Sequence, residues 1–330
     1  MDEDPELAKL GDHSLTRHFR DLSRHAKVFT ASRPDPSIRC TIPADEGGFI
    51  RIAISDNFNQ QDINTFLIYG ISKLGWDERT SERVRQKLAD GAKGMFLWAK
   101  LMPQHVQEQV TANDLEAALQ TLPDGLPAVY AQILSKIAAL PAPRARAAAR
   151  VLQWAYAATR PLTIPELEAA LAVKIGSPSS RHDVRYRVMN IRQLITDYCG
   201  SLLDIQERSS TVHFAHASVI QYLENVSTKE PTLYDMDHFP LVLAKRVPHL
   251  TVTCLTYLAY DDIDFVRPHK YPSEYAKILE KHLNDHPFLA YAAVELWTHF
   301  TPIDDSISTS GKELTEAIAC FFKTEKNLVK

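Results

Sequence analysis

Apolar residues recur along this chain first at one spacing, then at another, and the changes mark out its elements. Leu15, Phe19 and Leu22 share one face of a helix over 14–25, after which 27–32 switches to a short strand carrying Val28 and Phe29. A second strand is expected at 49–54, behind the Gly47-Gly48 turn, and Ile63, Phe66, Leu67, Ile71 and Leu74 then return to helical spacing over 61–74. This strand, loop, strand, helix order predicts the tail of a parallel sheet. Two parallel strands are marginal alone, because such sheets are normally covered by helices on both faces, so the pattern implies strands before residue 27.

From 78 to 158 the pattern is helical. Gly94 opens the apolar stretch Met95 to Leu101, Asn113-x-x-Glu116 has the form of a capping box, and the apolar faces run on through the Pro123-Asp124-Gly125 turn to Leu140. Thr163-Ile-Pro-Glu166 is a stronger box, since its proline falls in the first turn, where no amide donor is needed. Beyond it, 160–226 predicts a helix, an Arg-rich connector, a helix over 188–199, strands over 201–206 and 211–215, and a helix over 218–225: a winged helix. Residues 236–330 are helical again, without a solenoid-length repeat. The expected fold is mainly α with a small α/β remnant. It divides into a partial parallel sheet with a sensor strand over 1–76, a helical lid domain over 77–158, a winged-helix domain over 159–227 and a C-terminal helical spacer over 228–330.

Composition narrows the function. With 45% hydrophobic and 24% charged residues over 330 positions, the chain is of globular type, long enough for about two domains of ordinary size. A net charge of −4 offers no general attraction to nucleic acid or anionic lipid. The acidic start lacks a secretory n-region and h-region, and no apolar run approaches a bilayer span, so a cytoplasmic chain without membrane contact is expected. Cys40, Cys199, Cys254 and Cys320 form no C-x-x-C pair and predict reduced thiols, with neither a zinc site nor a disulfide framework.

The ordered motifs resemble the nucleotide-binding core of fungal NOD-like receptors, the NACHT branch of the STAND signalling ATPases. Val28 to Pro34 is similar to that family's TSRP sensor strand. Gly94, Met95 and Phe96, followed by Leu97-Trp98-Ala99, stand where related families carry a Gly-Leu-Pro-Leu turn on the adenine side of the nucleotide. Arg160-Pro-Leu-Thr163 with Glu166-Leu167 fits the entry to the winged helix, and His216-Ala-Ser218-Val219 with Tyr222-Leu223 its exit. Cys254 to Leu258 and Tyr291-Ala292-Ala293, with Trp297 and His299, fit the following helical segment.

The resemblance implies that Arg33, beside Ser32, faces a terminal phosphate, as a guanidinium at a strand's C-terminal end is suited to do. It likewise implies that His216 meets the β-phosphate of ADP, although Ala217 stands where that family commonly has an aspartate. A P-loop needs G-x-x-x-x-G-K-[ST], yet the sole Gly-Lys pair among the 11 glycines, Gly311-Lys312, is followed by Glu313, and Ser306 stands where the first glycine belongs. No Walker B strand precedes Arg33 either.

The expectation is therefore a truncated, non-catalytic receptor core that needs no cofactor, ATP or ADP entering only if an upstream motif supplies the phosphate grip. Its expected partner is a protein, a full-length NACHT paralogue being the candidate, in self-recognition or immunity-like signalling; the oligomeric state is left open. Two alternatives stay beside it: an incomplete gene model of an ATP-dependent switch, and a DNA-binding winged helix using Arg181, Arg185, Arg187 and Arg192. Asp197 and the apolar end of the 188–199 helix argue against the second. His213 with His216 on a strand, and His282 with His286 on a helix without H-E-x-x-H, predict no metal site, and no G-x-S-x-G elbow suggests a nucleophile.

Overall fold

A computed structural model describes residues 21–31, 50, 52, 58–175, 184–229, 247–263, 271–300 and 308–323. The chain is mainly helical, with one small sheet among the described residues.

Helix α1, Gln60–Ser72, buries Ile63, Leu67 and Ile71 at four-residue spacing and leaves Phe66, Ile68 and Tyr69 exposed. Its buried stripe packs on α2, Glu78–Ala92, and α3, Phe96–Gln107. Asp77 starts α2 by accepting the Thr80 amide at 3.0 Å. The helix ends where Lys93 (φ 44°) and Gly94 (φ 77°) turn left-handed, a conformation that glycine adopts freely and that redirects the chain into α3. Helix α4, Ala112–Gln120, is capped by Thr111 with Asp114, whose side chain returns to the Thr111 amide. The expected Asn113-Glu116 box is thus displaced by two residues. Thr111 has the extended backbone of an N-cap, which puts Asn113 inside the first turn. Helix α5, Gly125–Ala138, leads to α6, Ala142–Ala157, whose Ala145, Ala148 and Ala149 let the next unit approach closely.

That unit is the winged helix. Thr163 and Glu166 form the predicted capping box at the start of α7, Ile164–Ala172. Helix α8, Ile191–Gln193, widens at once into a π-helical turn, Leu194–Cys199, so the predicted 188–199 helix is shorter and distorted. Strands β1, Leu203–Gln206, and β2, Thr211–Phe214, pair antiparallel with Leu203 opposite Phe214 and Gln206 opposite Thr211. Thr163 adds an antiparallel bridge to Thr211, braced by Val212 N–H donating to Leu162 O at 2.9 Å. Helix α9, Ala217–Lys229, follows.

Helices α10, Val247–Leu258, α11, Pro272–Asp285, α12, Leu289–Phe300, and α13, Ser308–Lys323, complete the described chain. Helix α10 packs on α12 and α13 and also on α6 and α7, so one buried apolar cluster continues from α1 to α12.

The amino-terminal sheet differs from expectation. Lys27–Ala31 forms no strand, and Phe29 stands 90% exposed. Ile50 and Ile52 are exposed and unpaired as well, the rest of the second expected strand lying outside the described residues. Among the described residues no neighbouring strand pairs with these backbones or covers these side chains.

Candidate functional site

Arg33 and Ser32 lie outside the described residues. Gly94, Met95 and Phe96 form a genuine turn between α2 and α3. Gly94 O accepts from Asn59 Nδ2 at 3.3 Å, Met95 is the extended N-cap of α3, and Phe96 meets Phe66 edge-on at 6.4 Å. Below the turn, buried Trp98 donates its indole N–H to Pro123 O at 3.0 Å, tying α3 to the start of α5.

His216 sits just before α9 and is exposed. Its Nδ1 accepts the Ser218 amide at 3.1 Å and lies 2.7 Å from Ser218 Oγ, so the imidazole caps the start of the helix. Ser218 Oγ is in turn 2.8 Å from the hydroxyl of Tyr130, which α5 holds in the core. Because an amide can only donate, Nδ1 must be an acceptor, and neutral His216 carries its proton on Nε2. This link ties the α5 layer to the exit of the winged helix. The sequence motif held His216 and Ser218 but gave no sign that a tyrosine 86 positions before His216 would meet its neighbour.

A second polar joint lies at the winged helix's entry. Arg160 makes two hydrogen bonds to Glu166, at 3.0 and 2.6 Å, and its guanidinium stands 5.0 Å over the ring of Tyr291 on α12. The Tyr291 hydroxyl accepts the Thr159 amide at 3.1 Å and lies 2.9 Å from His299 Nε2. Thr251 of α10 donates to His299 O at 3.0 Å. Trp154 of α6, Phe288 and Tyr291 pack edge-on and stacked around the joint, with ring centres 5.4 to 6.0 Å apart.

Electrostatics follow from this packing. Burial alone would push the Glu166 carboxyl up, yet the bonds from Arg160 and Thr163 hold it below its ordinary value and raise Arg160 in return. Burial pushes Tyr291 up to about 12 against the opposing bonds from Thr159, and pulls His299 below its ordinary value despite the nearby Glu295. Cys199 and Cys254 are free, buried thiols, with Cys199 pushed up to about 12 by burial, so neither is a ready thiolate.

Other candidates resolve plainly. His213 Nε2 bonds Thr211 Oγ1 at 2.7 Å across one strand position, away from His216. His282 and His286 are half-buried neighbours whose rings lie 4.8 Å apart and tilted, and among the described residues no group of three metal-ligating side chains forms. Arg187 pairs with Glu168 and Arg192 with Glu207, each at 3.5 Å, while Arg181 lies outside the described residues. A cleft of about 590 Å³ opens between α3, α5 and the π-helical turn, but none of Gly94, Met95, Phe96 or His216 lines it. No described helix is long and apolar enough to cross a membrane.

Residues 137–230 match the family described as GPI inositol-deacylase, winged helix domain, which covers α6 to α9. Over 186 residues the chain is 31% identical to vegetative incompatibility protein HET-E-1 of Podospora anserina. That stretch takes in 54% of this chain and 13% of the fungal protein, so the chain spans only a small part of that relative's length. No solved structure matches it. A winged helix of this kind, with a fungal incompatibility protein as its relative, supports a chain related to the NACHT proteins.

Proposed function

We propose that this chain works without catalysing a reaction, as a signalling segment of NACHT type in which the winged helix is a lever between two helical units. The observation that carries this reading is the burial of the winged helix on both sides: polar joints fasten its entry to α12 and its exit to α5. A DNA reader needs a free recognition helix with unpaired cations. Here Ile191, Leu194, Ile195 and Cys199 are buried, and Arg187 and Arg192 face carboxylates.

The missing P-loop supports the non-catalytic part, because phosphoryl transfer depends on holding and neutralising the triphosphate. Such a segment acts through protein contacts, and the partner we favour is a full-length NACHT paralogue in self-recognition signalling. Purified chain titrated with ATP or ADP in a calorimeter is expected to give no heat of binding at micromolar ligand and no phosphate release with magnesium. Turnover proportional to protein concentration overturns the reading. The same protein mixed with a full-length NACHT paralogue is expected to co-elute on size exclusion.

A second reading draws on the small share of HET-E-1 that the chain covers: the same lever serves within a longer, ATP-dependent switch. Transcript sequencing across the start codon separates the two.

A further inference from the structure

The joint at the winged helix's entry contains a proton-sensitive element. Thr159 N–H points at the Tyr291 hydroxyl oxygen at 3.1 Å, and Thr159 Oγ1 donates to the same oxygen at 3.4 Å. The phenol is therefore the acceptor on that side, and its own proton must go to His299 Nε2, 2.9 Å away. This requires His299 to be neutral, with Nε2 unprotonated. His299 is 2% exposed, so its imidazole cannot turn to water to find another partner. We propose that protonation of His299 opens this joint, releasing the winged helix from α12 as the pH falls.

A proton on Nε2 would leave two donors facing each other across 2.9 Å. The phenol can escape only by turning its hydrogen away, toward a site where Thr159 already donates. Arg160 stands over the Tyr291 ring and opposes a second cation there, while its partner Glu166 at the start of α7 is fully engaged by Arg160 and Thr163. On α12 itself Glu295 favours the imidazolium. From α10 come Thr251, which is bonded to the His299 carbonyl, and Cys254, a buried neutral thiol. Burial outweighs Glu295 and lowers the affinity of His299 for a proton.

The sign follows. A histidine whose affinity is lowered in the closed state and ordinary in the open state binds its proton preferentially in the open state. The joint is therefore at full strength above the ordinary histidine value of 6.5 and weakens as pH falls through and below it. Neighbouring contacts, the Trp154 and Phe288 packing among them, resist complete unfolding, so the change is local. This inference rests on the lever reading only for what the opening achieves, since the joint opens or stays closed whether or not any partner binds.

Hydrogen exchange on the full chain tests it. The Thr159 amide, corrected for the intrinsic exchange rate, is expected to lose about tenfold in protection between a pH of about 7.5 and about 5.5. His299→Gln, which keeps an acceptor but cannot be charged, is expected to abolish that loss. Tyr291→Phe is expected to leave Thr159 weakly protected at every pH. An equal loss in the wild type and in His299→Gln, or none in the wild type, overturns the proposal. Should His299→Gln not fold, nitrogen NMR of the wild-type imidazoles decides: Nε2 of His299 must be unprotonated at neutral pH, and finding the proton there overturns it equally.

Discussion

Gly91 has no side chain because Trp98 occupies the place where one would be: a Cβ there would stand 2.5 Å from the end of the indole ring. The ring cannot yield easily, being fully buried and fixed by its bond to Pro123. Gly91→Ala is therefore expected to destabilise by about 1–3 kcal/mol in urea unfolding, against the usual benefit of alanine in a helix. Glu166 makes a different prediction. Its carboxylate serves both the Thr163 cap and Arg160, and its folded-state proton affinity is below the ordinary value of 4.5. A depressed carboxyl adds stability above its unfolded value, and that stability is lost as pH falls through the folded one. Glu166→Gln is thus expected to cost about 1 kcal/mol at neutral pH, Arg160 being partly screened by water, and to flatten the decline in stability below a pH of about 4.5. An unchanged acid limb in the variant would contradict this.

Among the helices, the caps show how far local pattern reaches. Thr163 and Glu166 were legible because a proline, a cap and a carboxylate all agreed on one register. At α4 two readings of the same stretch competed, and the box two residues earlier won because Thr111 and Asp114 can satisfy each other reciprocally. Thr111→Ala is expected to cost about 1 kcal/mol, whereas Asn113→Ala should fall within about 0.5 kcal/mol of the wild type. Equal losses would restore the Asn113 cap. The winged helix was legible from the order of its apolar runs, but the π-helical turn at Leu194–Cys199 was not, since nothing in local spacing distinguishes it from an ordinary helix. The capping role of His216, held through Ser218 by Tyr130, was likewise not legible in local spacing.

Across the chain, one apolar cluster runs from α1 through the winged helix to α12, and the aromatic joint of Trp154, Phe288 and Tyr291 is where the last helices enter it. A continuous core should melt cooperatively. Phe288→Ala is expected to remove about 3–5 kcal/mol from this joint and to split calorimetric unfolding into two steps, the α10–α13 unit melting first. A single transition, merely shifted, would mean that the coupling lies elsewhere. What could be read without coordinates was whatever depends on neighbours a few positions apart: helix faces, the winged-helix order, one capping box and the lack of a phosphate loop. Which distant residues would meet, Tyr130 with Ser218 or Thr159 with Tyr291 and His299, came only from the packed fold, because a contact across 88 or 132 positions is set by how whole elements dock. The amino-terminal strand illustrates the same division from the other side, since a short apolar run such as Val28-Phe29 predicts a strand but only a neighbouring strand can make it one.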